Sequence, residues 1–155
     1  VTSYVDAVLH VVMGPPCSGK TTYVRDHRSL RDVVVDMDAL AEALGGSSTH
    51  TASGPHRAAA LTCRSALVDR ILGGRWETGA DLWLIHHHPP AKALDRYRRA
   101  RAELHLLDPG QAVCLARARI DKRPAWTATA IAEWYADPIT VGEVTQGEVT
   151  PSRTW

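Results

Sequence analysis

Four short apolar runs punctuate the chain, separated by stretches in which apolar residues recur at helical spacing. The first, Val5 to Met13, is valine-rich and broken only by Asp6 and His10. Its length and β-branching predict a buried strand rather than a helix. Val33-Val34-Val35 ends at Asp36, Leu82-Trp83-Leu84-Ile85 runs into His86-His87-His88-Pro89-Pro90, and Leu104-His105-Leu106-Leu107 is closed by Asp108-Pro109-Gly110. These predict three more strands. Helices are predicted over Thr21 to His27, over Ala39 to Leu44 up to the stop at Gly45-Gly46, and from Pro55 to Gly73-Gly74. The last of these has an apolar side of Ala59, Leu61, Ala66, Leu67, Ile71 and Leu72. Further helices are predicted over Ala91 to Arg101, Gln111 to Ile120 and Thr127 to Tyr135, with a polar loop over Ser47 to Gly54. Strands alternating with helices predict an α/β fold in three layers, a mainly parallel sheet of four or five strands covered on both faces. The domain is expected over residues 1–137, with an extended tail over 138–155. Such sheets bind ligands at the carboxyl ends of their strands, where the first glycine loop, Asp36, Asp38, the histidine run and Asp108 are expected to gather.

That loop is the stretch with specific chemistry. Gly14-Pro15-Pro16-Cys17-Ser18-Gly19-Lys20-Thr21 follows a strand and opens a helix, the setting that a phosphate-binding loop requires. Glycine lets the backbone curl around phosphate oxygens and aim N–H groups at them. Lys20 is expected to neutralise β/γ-phosphate charge, and Thr21 to offer its hydroxyl to Mg2+, with Thr22 continuing a helix whose positive end faces the phosphates. Cys17 contributes backbone rather than thiol chemistry. With glycine near 7% of residues on average, a chance match in a chain this short is on the order of one in a hundred or less. ATP and Mg2+ are therefore the expected ligands.

Asp36 and Asp38 follow the second strand. Asp38 reads either as the base that takes a proton from an acceptor hydroxyl or as the cap of the helix beginning at Ala39. Asp36 is expected to assist Mg2+. His86-His87-His88 reads as an acceptor contact or as a plain loop, and its adjacent residues point in alternating directions that suit metal poorly. His50, His56 and Arg57 read as an anion-binding pocket or as a polar loop with a helix start. Trp76 and Trp83 read as base-stacking platforms or core, with core favoured for Trp83, and Trp126 as a neighbour of the adenine ring.

Composition narrows the class. At 155 residues and 45% hydrophobic content the chain suits one domain with its own core. Its three cysteines, Cys17, Cys63 and Cys114, suit neither a disulfide framework nor a closed zinc site and fit a reducing, cytoplasmic setting. No apolar run is long enough to span a bilayer, and no signal-peptide order is visible. A net charge of +1 does not demand nucleic acid, so any such case rests on local clusters such as Arg96, Arg98, Arg99 and Arg101, or Arg117, Arg119, Lys122 and Arg123.

Gly14 to Thr22, Val33 to Leu40, and Cys114 to Tyr135 with its Trp134-Tyr135 pair resemble the small P-loop kinases. The likeness is to the kinase domain of phage-type polynucleotide 5′-hydroxyl kinases and related phage nucleic-acid and nucleoside kinases. The resemblance implies a P-loop NTPase fold with an arginine-bearing lid, Asp38 as general base, and a kinase acting on a hydroxyl of nucleic acid, nucleoside or nucleotide, in host cytoplasm if phage-encoded. Two positions depart from the pattern: Ala41 replaces an arginine after the base, and Asp121 replaces the second lid arginine, with Arg117 matching the first. Arg119 and Arg123, four residues apart, are expected to supply the missing cation over the phosphoryl group. A small-molecule kinase for an antibiotic or sugar, and an ATPase or switch module without an acceptor, are the alternatives.

Overall fold

The computed structural model describes residues 7–47 and 54–139, together with the backbone of residues 145–146. In chain order the elements are β1 (Leu9–Met13), α1 (Lys20–His27), β2 (Val33–Val35), α2 (Met37–Ala43), α3 (Gly54–Leu72) and β3 (Leu82–Ile85). There follow α4 (Ala91–Arg99), β4 (Glu103–Leu106), α5 (Gln111–Ile120), α6 (Trp126–Ala136) and β5 (Thr145–Gln146). The strands form one sheet in the order β2-β3-β1-β4-β5, with every pairing parallel.

All five residues of β1 are buried, because it is a central strand covered on both faces. Successive side chains alternate between those faces. Leu9, Val11 and Met13 join Val35, Leu82 and Leu84 on one face, where Val68 of α3 and Leu94 and Tyr97 of α4 close the core. Val12 joins Trp83 and Leu107 on the other, against Val24 of α1. Trp83 is accordingly core, 5% exposed, and its indole N–H donates to Asp32 Oδ2 at 3.0 Å. Trp76 packs at the edge of the first core and donates to the Ala80 carbonyl at 2.7 Å, so it too is a packing residue rather than a stacking platform.

Several boundaries differ from the sequence expectation for identifiable reasons. The first strand begins at Leu9; Val5 and Asp6 of the expected run lie outside the described residues. The short helix begins at Met37 because Asp36, in extended conformation, caps it by accepting from the Asp38 N–H. The cap expected at Asp38 is therefore at Asp36. Helix α4 stops at Arg99, and Arg101 turns into the left-handed region at φ 56° to start β4 one residue earlier than expected. The segment after Pro138 contributes β5, whose backbone pairs with β4 at His105↔Thr145 and Leu106↔Gln146. The rest of that tail and the loop residues 48–53, including His50, lie outside the described residues.

The order of strands positions the site. From β1 the chain crosses to β2 on one side, whereas β3 connects through α4 to β4 on the other. A crevice opens over the carboxyl end of β1, as at any point where connections diverge. Helices α5 and α6 pack on each other through Cys114, Ala118 and Ile131, and Cys17 of the loop packs against that cluster. Among the described residues no helix is long and apolar enough to cross a membrane.

Candidate active site

The loop after β1 is rooted between its two neighbouring strands. The Gly14 N–H donates to the His87 carbonyl beyond β3 at 3.2 Å, and the Leu107 N–H beyond β4 donates to the Met13 carbonyl at 2.9 Å. Gly14 sits at φ 144°, and a Cβ there would run into the Leu107 carbonyl and come within 2.9 Å of Ser18 Oγ. Only glycine fits. Cys17 (φ 61°) and Gly19 (φ 98°) take left-handed conformations around the buried Ser18, the alternation that turns successive backbone N–H groups toward one concave side. Gly19 then caps α1 with Lys20 and Thr21 in its first turn.

Lys20 Nζ donates to the carbonyls of Gly14 at 2.9 Å and Pro15 at 2.6 Å, with Ser18 Oγ at 3.4 Å. Burial lowers its pKa from 10.5 to about 8, despite the acidic groups around it. Thr21 Oγ1 donates to Asp36 Oδ2 at 3.4 Å, while Asp36 Oδ1 accepts the Asp38 N–H at 2.9 Å. Capping fixes the Asp36 carboxylate beside the threonine hydroxyl, a pair of hard oxygen donors of the type magnesium takes. The donor set fits that ion.

These groups open onto one cleft of about 990 Å³. Pro16, Cys17, Gly19, Lys20, Thr21 and Thr22 line it from the glycine loop and α1, and Asp36, Met37 and Asp38 from the turn between β2 and α2. Arg117, Arg123 and Trp126 line it from α5, the turn after it and the start of α6. Arg117 Nη1 donates to the Cys17 and Ser18 carbonyls, both at 3.2 Å, so this arginine clasps the loop backbone. Arg123 Nε faces Asp121 Oδ2 at 4.0 Å. Arg119 is exposed and outside the lining, so the expected pairing of Arg119 with Arg123 over the cleft does not form; on α5 it points away from its own neighbour Arg117 because two residues subtend about 200° of helix. Asp108 is likewise outside the cleft: its carboxylate accepts from the Tyr135 hydroxyl at 2.6 Å and the Gly110 N–H at 3.1 Å, bracing α5 against α6.

The far end is built by α3 and β3. Arg57, Leu61 and Arg64 line it together with Ile85, His86 and His87. Arg64 Nη2 donates to His86 Nδ1 at 2.9 Å, and the Tyr97 hydroxyl lies 2.9 Å from the same nitrogen. Burial, followed by the charge of Arg64 and the neighbouring histidines, lowers the His86 pKa to about 3. Because a guanidinium can only donate, Nδ1 is the acceptor and the ring proton sits on Nε2. The three histidines have separate partners: His88 Nε2 donates to the Asp137 carbonyl at 2.8 Å, and His87 anchors Gly14 through its backbone. His56 packs beside the Gly45-Gly46 turn, while Arg57 faces the cleft. Sequence alone does not single out Arg64, since one arginine among several on a long helix looks like solvated surface. Its helical position, seven residues after Arg57, is the available signal.

Comparison with known proteins places this geometry. A search of curated proteins finds no match to the sequence. Among solved structures, one described as a "putative kinase" from Chloroflexus aurantiacus J-10-fl superposes with a TM-score of 0.54 at 18% identity, covering 92% of this chain and 84% of that one. At that identity the likeness concerns the fold. The family model described as an AAA domain matches residues 9–132, from the first residue of β1 into α6. It therefore spans the loop, Asp36 and Asp38, the histidine run and Arg117 to Trp126, and the chain belongs to the AAA_33 family of AAA domains, with a P-loop α/β fold.

Proposed function

We propose that this protein is an ATP-dependent kinase that transfers the γ-phosphoryl group to a hydroxyl of a nucleic acid, nucleoside or nucleotide. The observation that carries the reading is that Asp38 shares one cleft with Lys20 and Thr21, separated from them by an Asp36 already engaged in capping. A carboxylate at the place where an acceptor hydroxyl would enter suits a kinase, because it can orient that hydroxyl and take its proton. The description of the Chloroflexus aurantiacus protein as a "putative kinase" points the same way.

In this mechanism the loop backbone and Lys20 hold the β- and γ-phosphates, and Thr21 with Asp36 would hold Mg2+, which screens phosphate charge when bound. The acceptor oxygen attacks the γ-phosphorus, the bond to the β–γ bridging oxygen breaks, and ADP leaves with that electron pair. Asp38 orients the attacking hydroxyl and receives its proton. Arg123 faces the same space and would offset charge on the transferring group, with Arg117 acting through the loop it clasps. Arg57 and Arg64 at the far end favour an acceptor that itself carries phosphate. Met37, Leu61 and Ile85 beside them offer apolar surface for a base or sugar face.

The test is transfer of labelled γ-phosphate from ATP to 5′-hydroxyl oligonucleotides, hydroxymethylated DNA, nucleosides and nucleotides by wild type, Lys20→Ala and Asp38→Asn. Label on one of these classes, lost in both variants, supports the proposal. Label only on antibiotics or sugars, or on no acceptor while ATP is hydrolysed, overturns it in favour of a small-molecule kinase or an ATPase.

A further inference from the structure

Away from the cleft, on the α1 face of the sheet, three potential ligands meet across two strands. His10 is the second residue of β1, and Glu103 and His105 are the first and third of β4, with His10 and Glu103 in register. His10 Nδ1 lies 3.1 Å from Glu103 Oε2 and 3.2 Å from His105 Nε2, and those two atoms are 3.9 Å apart. A tetrahedral zinc with bonds of about 2.0–2.1 Å spaces its ligand atoms about 3.3–3.4 Å apart. The triangle is already close to one face of such a site.

The nitrogens outside the triangle are also engaged. His10 Nε2 faces Asp81 Oδ2 at 3.5 Å, and Asp81 is itself fixed because its Oδ1 accepts the Val8 N–H at 2.8 Å. His105 Nδ1 lies 3.2 Å from the Tyr23 hydroxyl. Histidines that ligate metal commonly direct their second nitrogen at such an oxygen, which sets tautomer and ring orientation. The His10 ring is stacked flat on Trp83, with centroids 4.0 Å apart and planes 8° apart. Both histidines are buried, whereas the Glu103 side chain is 57% exposed and leaves a way in.

The arrangement lacks a cation if both rings are neutral. His10 has a carboxylate near each nitrogen, so a single ring proton leaves one lone pair facing a negative charge. A metal ion in the triangle would meet His10 Nδ1, Glu103 Oε2 and His105 Nε2 together, since the three ligand atoms lie within 4.8 Å of one another. We propose that His10 Nδ1, His105 Nε2 and Glu103 Oε2 form a binding site for a divalent cation of imidazole and carboxylate preference, zinc above all, with water completing the tetrahedron. The site is distinct from Thr21 and Asp36: His10 and Gly14 are four residues apart, about 13 Å along a strand. It ties β1 to β4 and, through Tyr23, to the helix that leaves the phosphate loop.

The full chain, stripped with chelator, is titrated with zinc by calorimetry and by competition with a chromophoric chelator. One zinc per chain is expected, together with a rise in thermal unfolding temperature on zinc addition. Glu103→Gln, at an exposed side chain that the core does not need, should weaken zinc by more than about tenfold, as should Asp81→Asn through His10. His10→Asn and His105→Asn should abolish binding. Cobalt substitution reads the donor set directly, because Cys17, Cys63 and Cys114 would add thiolate charge-transfer bands. No zinc uptake at micromolar concentration, unchanged affinity in Glu103→Gln, or a thiolate spectrum would each overturn the site and leave a hydrogen-bonded histidine pair. None of these readouts depends on kinase activity.

Discussion

Lys20 carries an electrostatic cost within the cleft. Burial lowers the Lys20 pKa to about 8, so its ammonium is disfavoured in the fold relative to the unfolded chain, where the value is 10.5. Below about pH 8 both states hold the proton and the penalty is fully present; it is relieved as pH rises from about 8 toward 10.5. Lys20→Met should therefore stabilise the protein most at neutral pH, and its advantage in chemical denaturation should shrink toward about pH 10. Nucleotide binding has the reverse dependence, because phosphates recruit the ammonium. ATP affinity should fall above about pH 8 and binding there should take up a proton, which calorimetry in buffers of different ionisation enthalpy would register. Asp38→Asn keeps the shape and removes the carboxylate proposed as the base. It should lower kcat by about 10²–10⁴ while leaving ATP affinity near wild type. At the far end of the cleft, Arg64→Ala takes a charge away from His86 and should raise the His86 pKa from about 3, though burial still holds it below the ordinary histidine range. Ring-proton chemical shifts across pH would follow that titration, and KM for a phosphorylated acceptor should rise about tenfold as a charge-assisted contact is lost.

At the scale of elements, the short turn from β2 into α2 makes one carboxylate serve two ends. Asp36 caps the helix through one oxygen and meets Thr21 through the other. The two roles separate by substitution. Asp36→Asn retains a good capping side chain and loses the charge, so stability should stay near wild type while the magnesium concentration needed for half-maximal activity rises. Asp36→Ala loses both and should also cost about 0.5–2 kcal/mol in denaturant unfolding. This turn also marks a limit of what the sequence makes legible. The valine run and the acidic pair read as strand and helix start, because period and burial leave few alternatives there. Which aspartate caps does not, since Asp36 and Asp38 both suit that position and only the backbone decides. The same holds for the lid. Arg117, singled out in the sequence, does reach the loop backbone, yet spacing alone groups Arg119 with Arg123, and the turn after Ile120, with Lys122 at φ 49°, breaks the helical register on which that grouping relies.

For the whole molecule, the order of strands explains why residues distant in sequence share a cleft. The alternation of strand and helix makes the parallel sheet and the loop at its carboxyl edge legible, because buried parallel strands read as continuous apolar runs. Arg64, His86 and Arg123 cannot be brought together from sequence, since their meeting depends on which strand lies next to β1. The fifth strand is illegible for a different reason: Thr145–Gln146 contributes backbone pairing, and a two-residue strand carries no apolar period. That pairing has a consequence for the whole fold. Beside β5, β4 is an inner strand; without it, the N–H and C=O groups on one side of His105 and Leu106 face water as an open edge. Ile139, which packs against the main core, lies just before this segment. A chain ending after Ile139 should keep the loop and the cleft and hence bind ATP, but with β4 exposed it should unfold at lower denaturant and self-associate with increasing concentration. Light scattering and urea unfolding of the two chain lengths would measure this. Equal stability and no association would mean that the edge of β4 is protected by something other than β5, whereas loss of ATP binding would make the segment after Ile139 part of the folding unit rather than an extension of it.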